Sequence, residues 1–178
     1  MTFPDSIKCA LRDGAISIIP TDTIYGIVTL VWNKESVEHV YNLKKRSPEK
    51  PCIILLHCVE QMREFGVEET YIKKLISFQT DGPTSFIVPI TRSDLGYLDR
   101  GTHTLAFRIP ANHDLHELLA YSGPLIAPSA NTEGNPPATT IAEAREYFGN
   151  TIQYYIDGGT IISKPSMLID IATGTRLR

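Results

Sequence analysis

Four short fragments of this chain concentrate hydroxyls, cations and an amide: Pro20-Thr21-Asp22-Thr23-Ile24-Tyr25-Gly26, Lys44-Lys45-Arg46, Thr104-Leu105-Ala106-Phe107-Arg108 and Pro128-Ser129-Ala130-Asn131. They contain no histidine or cysteine to act as an obvious general base. That inventory suits the binding of a polyphosphate and a small polar substrate, and suits hydrolysis by an activated serine or cysteine poorly. A guanidinium such as Arg46 can grip phosphate oxygens in a two-pronged fork, while the Lys44 ammonium serves as a point charge. Ser129 and Asn131 offer a hydroxyl and an amide to phosphate oxygens or a ribose. Both residue types also favour turns, so taken alone the tripeptide is open between the two readings. Arg108 closes an apolar run and precedes Ile-Pro, which favours a cavity-facing side chain over a surface ion pair worth less than about 1 kcal/mol.

Other constellations are absent or weak. There is no Gly-x-x-x-x-Gly-Lys-Ser/Thr loop, no Gly-x-Gly-x-x-Gly and no Gly-x-Ser-x-Gly elbow, which disfavours a P-loop nucleotidase, a Rossmann dehydrogenase and an α/β-hydrolase. His113-x-x-His116 falls at a helix start without a clear third ligand, so no metal site is assigned. Cys9, Cys52 and Cys58 are odd in number and lack Cys-x-x-Cys spacing, and read as small buried apolar residues.

The elements that must carry these fragments follow from hydrophobic periodicity. Helix is expected over Asp5 to Arg12, a buried strand over Ala15 to Ile19 stopped by Pro20, and a second strand over Tyr25 to Val31. Lys34 to Arg46 reads as a helix with Val37, Val40 and Tyr41 on one face. Lys44 continues that buried stripe, where an inward cation needs a partner; the alternative is that it snorkels to solvent. Strands are expected at Cys52 to Leu56, Ser85 to Ile90, Thr104 to Ile109, Leu125 to Ala127, Gln153 to Ile156 and Met167 to Ile171. Further helices are expected at Glu68 to Phe78, with Tyr71, Ile72, Leu75 and Ile76 inward, at Asp114 to Tyr121 and at Ile141 to Phe148. Thr132 to Thr140 reads as an exposed, mobile loop. Interleaved strands and helices predict an α/β fold with a twisted, mixed sheet. Thr21, Thr23, Ser129 and Asn131 are expected just outside the carboxyl ends of strands, where open α/β sheets bind ligands.

The chain has 178 residues, a formal net charge of -3 and an ordinary globular composition, so one domain over residues 1–178 is expected. The charge disfavours a dedicated nucleic-acid binder. No stretch approaches a membrane span and the N-terminus lacks a signal-like pattern, which points to the cytoplasm.

In order and spacing, the four fragments resemble the YrdC-type threonylcarbamoyl-AMP synthases, from about Ala15 to Asp170. The resemblance implies a single domain whose mixed sheet and flanking helices surround a large open cavity. It implies condensation of L-threonine, bicarbonate and ATP, normally with Mg2+, into threonylcarbamoyl-adenylate and pyrophosphate. The product would pass to downstream enzymes that modify adenosine in tRNA. Carried over by position, Lys44 and Arg46 would be catalytic and bind ATP together with Thr104, Ser129 and Asn131. Thr21, Thr23, Arg108 and Ser166 would hold threonine. Asp81, Pro137 and Met167 depart from the family pattern, and either Arg176 or Arg178 could supply a C-terminal arginine to the nucleotide. Two other readings remain: a diverged paralogue acting on a related carbamoyl- or acyl-adenylate, and a non-catalytic module making weak RNA contact.

Overall fold

The computed structural model describes residues 2–78 and 80–178. Among them the apolar runs pair as β1 (Ser17–Pro20), β2 (Tyr25–Leu30), β3 (Ile53–Leu55), β4 (Thr84–Pro89), β5 (Thr104–Arg108), β6 (Leu125–Ile126), β7 (Tyr154–Tyr155) and β8 (Met167–Asp170). They form one mixed sheet in the order β7-β1-β2-β6-β3-β5-β4-β8. Three neighbouring pairs are parallel, β1 with β7, β3 with β5 and β4 with β8, and the others are antiparallel. The expected mixed α/β sheet is therefore present.

Helices α1 (Asp5–Arg12), α2 (Lys34–Lys44), α3 (Glu69–Ile76), α4 (Gly96–Asp99), α5 (His113–Ser122) and α6 (Ile141–Phe148) flank it. Three begin on caps that the sequence supplies: Asn33, Asn112 and Thr140 accept from the backbone N–H groups of Ser36, Leu115 and Glu143. Each such bond satisfies one of the orphan donors of a first helical turn, typically worth about 1 kcal/mol.

Alternation along the strands sorts side chains between two faces. On one face Ile18, Ile54, Leu105 and Phe107 join Val37 and Val40 of α2, Ile72 of α3, Leu98 of α4 and Phe148 of α6 in the main core. On the other face Ile19, Val28 and Leu55 pack against Ile7 and Leu11 of α1 and Leu115, Leu118 and Leu119 of α5. These two helices cover only part of that second face. The remainder, around β3, β5, β4 and β8, is open and concave.

Several boundaries differ from expectation by a residue or two, and two differences have physical content. Pro20 ends β1 and pairs with Tyr25, because a strand terminus tolerates a missing N–H. Ile76 is 65% exposed, not inward, because α3 ends there while Ile72 and Leu75 hold the buried stripe. The segment Thr132 to Thr140 is tied down by its own bonds. Glu133 N–H donates to the Lys44 carbonyl, Ala138 N–H donates to the Ala130 carbonyl, and the Tyr147 hydroxyl donates to the Pro136 carbonyl.

The connection from β7 to β8, residues 156–166, passes between opposite edges of the sheet. On the way Gly158 N–H donates to the Tyr25 hydroxyl, which in turn donates to the Gly159 carbonyl. A Cβ on Gly158 would lie 2.6 Å from Pro20 Cβ, so glycine is needed for this close approach. No helix among the described residues is long and apolar enough to cross a membrane.

Candidate active site

The open part of the sheet's second face holds a cavity of about 550 Å³. Thr21, Thr23, Arg46, Thr104, Arg108, Ser129 and Ser166 all line it, while Lys44 and Asn131 do not. Thr104 stands at the amino end of β5 and Arg108 at its carboxyl end, with Ala106 between them on the same face. The cavity thus runs along the sheet surface: Thr21, Thr23 and Ser129 follow the carboxyl ends of β1 and β6, as expected, while Thr104 adds an amino end. A mixed sheet has no common carboxyl edge at which to gather ligands.

Arg108 is buried and fixed by the β1–β2 turn. Its Nη1 donates to Thr23 Oγ1 at 3.1 Å and its Nη2 to Thr21 Oγ1 at 3.4 Å. Thr21 Oγ1 donates to the Ile24 carbonyl and accepts from the backbone N–H groups of Thr23 and Ile24, so the turn is braced by its own hydroxyl. Asp22 Oδ1 lies 3.0 Å from Arg108 Nη2. Arg108 Nε is buried without a hydrogen-bond partner in the protein. Burial pulls the guanidinium below its ordinary pKa, Asp22 opposes that shift, and the nearby Arg178 adds to it.

Lys44 is buried, as the stripe through Val37, Val40 and Tyr41 predicts. Its partners are neutral oxygens: Nζ donates to the Ser129 carbonyl, to the Asn131 carbonyl at 2.6 Å and to Asn131 Oδ1 at 3.4 Å. Burial, with Arg46 as a second cause, lowers its pKa from 10.5 to about 8. Asn131 Oδ1 also accepts from Ser129 Oγ, and its Nδ2 donates to the carbonyls of Thr132 and Asn135. Lys44 and Asn131 therefore form one internal knot behind the loop that presents Ser129 to the cavity.

Arg46 faces the cavity and is steadied by the Lys50 and Pro51 carbonyls, at 3.0 and 2.9 Å. Lys50 also lines the cavity, paired with Glu133 at 2.6 Å. Glu133 accepts from Ser47 N–H as well, and these two donors hold its carboxyl below the usual carboxylate range. Thr104 and Thr102 share a hydroxyl bond of 3.0 Å, and both line the cavity. Ser166 Oγ is 2.8 Å from the buried Ser85 Oγ. Both C-terminal arginines are exposed, but only Arg178 lines the cavity, with its Nε donating to the Ser166 carbonyl at 3.1 Å. Pro137 is a wall residue; Asp81 and Met167 do not line the cavity.

Reading the sequence missed Asp22, Thr102, Ser85 and Glu133. Asp22 lay inside a fragment already singled out, and Thr102 lies two residues before Thr104. Ser85 and Glu133 are brought in by tertiary pairing that no local spacing encodes. Among the described residues no three His, Cys, Asp or Glu side chains converge to hold a metal, and Glu49 is the one acidic side chain lining the cavity. His113 instead faces Glu117 at 3.5 Å.

A concave sheet face carrying a buried guanidinium, further cations and several hydroxyls gives this α/β fold a surface chemically suited to anionic ligands. A family model for Sua5, YciO and YrdC proteins, described as "Telomere recombination", matches residues 9–178. The threonylcarbamoyl-AMP synthase of Pseudomonas fluorescens Pf-5 is 32% identical over 173 residues, 94% of this chain and 92% of that protein. The threonylcarbamoyl-AMP synthase of Coxiella burnetii RSA 493 is 31% identical over 180 residues, 98% of this chain and 95% of that protein. The crystal structure of P. abyssi Sua5 complexed with L-threonine matches with a TM-score of 0.83 at 28% identity, over 93% of this chain and 49% of that one. The chain thus spans about half the length of that archaeal protein. It belongs to the Sua5/YciO/YrdC family.

Proposed function

We propose that this protein is a threonylcarbamoyl-AMP synthase, making threonylcarbamoyl-adenylate and pyrophosphate from L-threonine, bicarbonate and ATP. The observation that carries the proposal is Arg108, a guanidinium held in the cavity wall by its Nη1 and Nη2 bonds to the Thr23 and Thr21 hydroxyls. That is a seat for a small molecule's carboxylate, and Arg46, Lys50 and Arg178 in the same lining supply the charge a triphosphate needs. The names of the two bacterial relatives and the L-threonine complex of the archaeal one support the same assignment.

In this reading the threonine amine condenses with bicarbonate, losing water, to give a carbamate. A carbamate oxygen then attacks the α-phosphorus of ATP, and pyrophosphate leaves. The protein's task is alignment and charge neutralisation, so a strong general base is not required. Arg108 with Thr21, Thr23 and Ser166 holds threonine; Arg46, Thr104 and Ser129 face the nucleotide. Lys44 and Asn131 act one layer back by fixing the Ser129 loop. Removing Arg46 costs on the order of 3 kcal/mol of transition-state stabilisation, the scale of a lost oxyanion donor, while removing Lys44 acts indirectly by freeing the Ser129 loop. With one acidic side chain in the lining, the residues present do not fit a protein-held Mg2+, and the ion would arrive as a complex with the triphosphate.

The assigned setting is cytoplasmic, with tRNA-modification enzymes taking the product. Pyrophosphate release by the purified protein with bicarbonate and Mg2+, with and without L-threonine, tests the proposal. Threonine-dependent release that is lost in Lys44→Ala and Arg46→Ala is the expected result, and no release with any amino acid sinks it. A related acyl- or carbamoyl-adenylate is the second reading, because Pro137, which departs from the family pattern, lines the cavity. An amino-acid screen in the same assay separates the two.

A further inference from the structure

Arg108 has a counter-ion that approaches it from outside the cavity. Asp22 Oδ1 lies 3.0 Å from Nη2, and both side chains are nearly buried, at 10% and 5% exposure. The carboxylate oxygen is not aligned for a hydrogen bond, so the contact is one of charge. Thr21 and Thr23, on either side of Asp22 in sequence, line the cavity. Asp22 does not; it lines a separate, mainly apolar groove with Met62, Leu75, Phe86 and Phe107. One guanidinium that lines the substrate cavity thus has an anion behind it, while its own Nε is buried without a protein partner.

We propose that Asp22 is a built-in counter-ion that stands in for the substrate carboxylate while the cavity is empty and weakens carboxylate binding when it is filled. The inference rests on reading Arg108 as the carboxylate seat. A buried guanidinium with no anion is strongly unfavourable, so the empty site needs Asp22 for stability. A carboxylate arriving from the cavity meets a cation already partly neutralised, and it faces Asp22 as a like charge across the same guanidinium. Asp22 touches no substrate in this arrangement. It is a positioning residue that sets affinity through Arg108.

The test is Asp22→Asn, which keeps the shape and removes the charge. Its melting temperature and its binding of L-threonine, sodium acetate and ATP are compared with wild type. The expected variant melts lower than wild type without ligand, yet binds L-threonine about tenfold more tightly. Acetate raises its melting temperature more than it raises that of wild type, and ATP binding is unchanged. A merely structural role lowers stability with equal or weaker threonine binding, and that outcome overturns the proposal. Should wild type fail to bind L-threonine, the threonine assignment falls while the acetate comparison still decides the counter-ion: equal acetate shifts in variant and wild type overturn it. If Asp22→Asn does not fold, Asp22→Ser and refolding of both variants in acetate replace it. Recovery with acetate and not with chloride at equal ionic strength supports the counter-ion, and no recovery rejects it.

Discussion

Lys44 carries a charge that the fold desolvates, and its surroundings give that charge a pH signature. Its pKa falls from 10.5 to about 8 because burial disfavours the ammonium. Between these values the unfolded chain keeps a proton that the folded chain has released, so the Lys44 contribution to stability rises as pH increases from about 8 to 10.5. Urea midpoints measured across that range should climb more steeply for wild type than for Lys44→Met; parallel curves would contradict the assignment. Arg108 makes a different prediction. Arg108→Lys keeps a charge but loses the fork that Thr21 and Thr23 orient, and KM for L-threonine should rise roughly tenfold or more with KM for ATP little changed. Both positions were legible in the sequence, Lys44 from a helical stripe and Arg108 from its place at the end of an apolar run before Ile-Pro. Their partners were not. Lys44 is satisfied by loop carbonyls and Arg108 is backed by Asp22, and neither backbone oxygens in a loop nor a carboxylate far away in sequence leaves a periodic trace.

At the scale of elements, two irregular segments do the positioning. The turn between β1 and β2 clamps Arg108, and the loop after β6 presents Ser129 while burying Asn131. Asn131 links four groups at once, so Asn131→Ala should leave the Asn135 carbonyl, the Ser129 hydroxyl and part of the Lys44 amine short of partners. Loss of about 1–3 kcal/mol per stranded buried group is expected, read by chemical denaturation against Asn135→Ala, whose side chain makes an exposed bond and should cost little. Strand and helix existence was recoverable from periodicity because burial repeats with the element. The anchoring of residues 132–140 was not, since Pro, Gly and polar residues read as a loop whether or not that loop is bonded to the core. Glu133 shows the difference: it looks like any surface acid in sequence, yet it receives both Ser47 N–H and Lys50 Nζ.

For the whole molecule, mixed-sheet architecture followed from the alternation of element types, but strand order did not, because short apolar runs do not name their neighbours. The order places β7 and β8, close together in the chain, at opposite edges. Each edge strand pairs with a partner from much earlier: Ile18 opposite Tyr155, and Phe86 opposite Ile169. Neither edge can be completed before the last strands have been synthesised, so a growing chain must wait with β1 and β4 each exposing one unpaired flank. Such long-range parallel pairing is slow to form. In pulse-labelled hydrogen exchange during refolding, the Ile156 and Ile171 amides, which donate to the Ile18 and Ile87 carbonyls, should gain protection after the β1–β2 hairpin. Early protection at either would refute this order. A nascent chain halted before Tyr154 would therefore present two adhesive sheet margins to its neighbours, and only the emergence of residues 154–170 covers both.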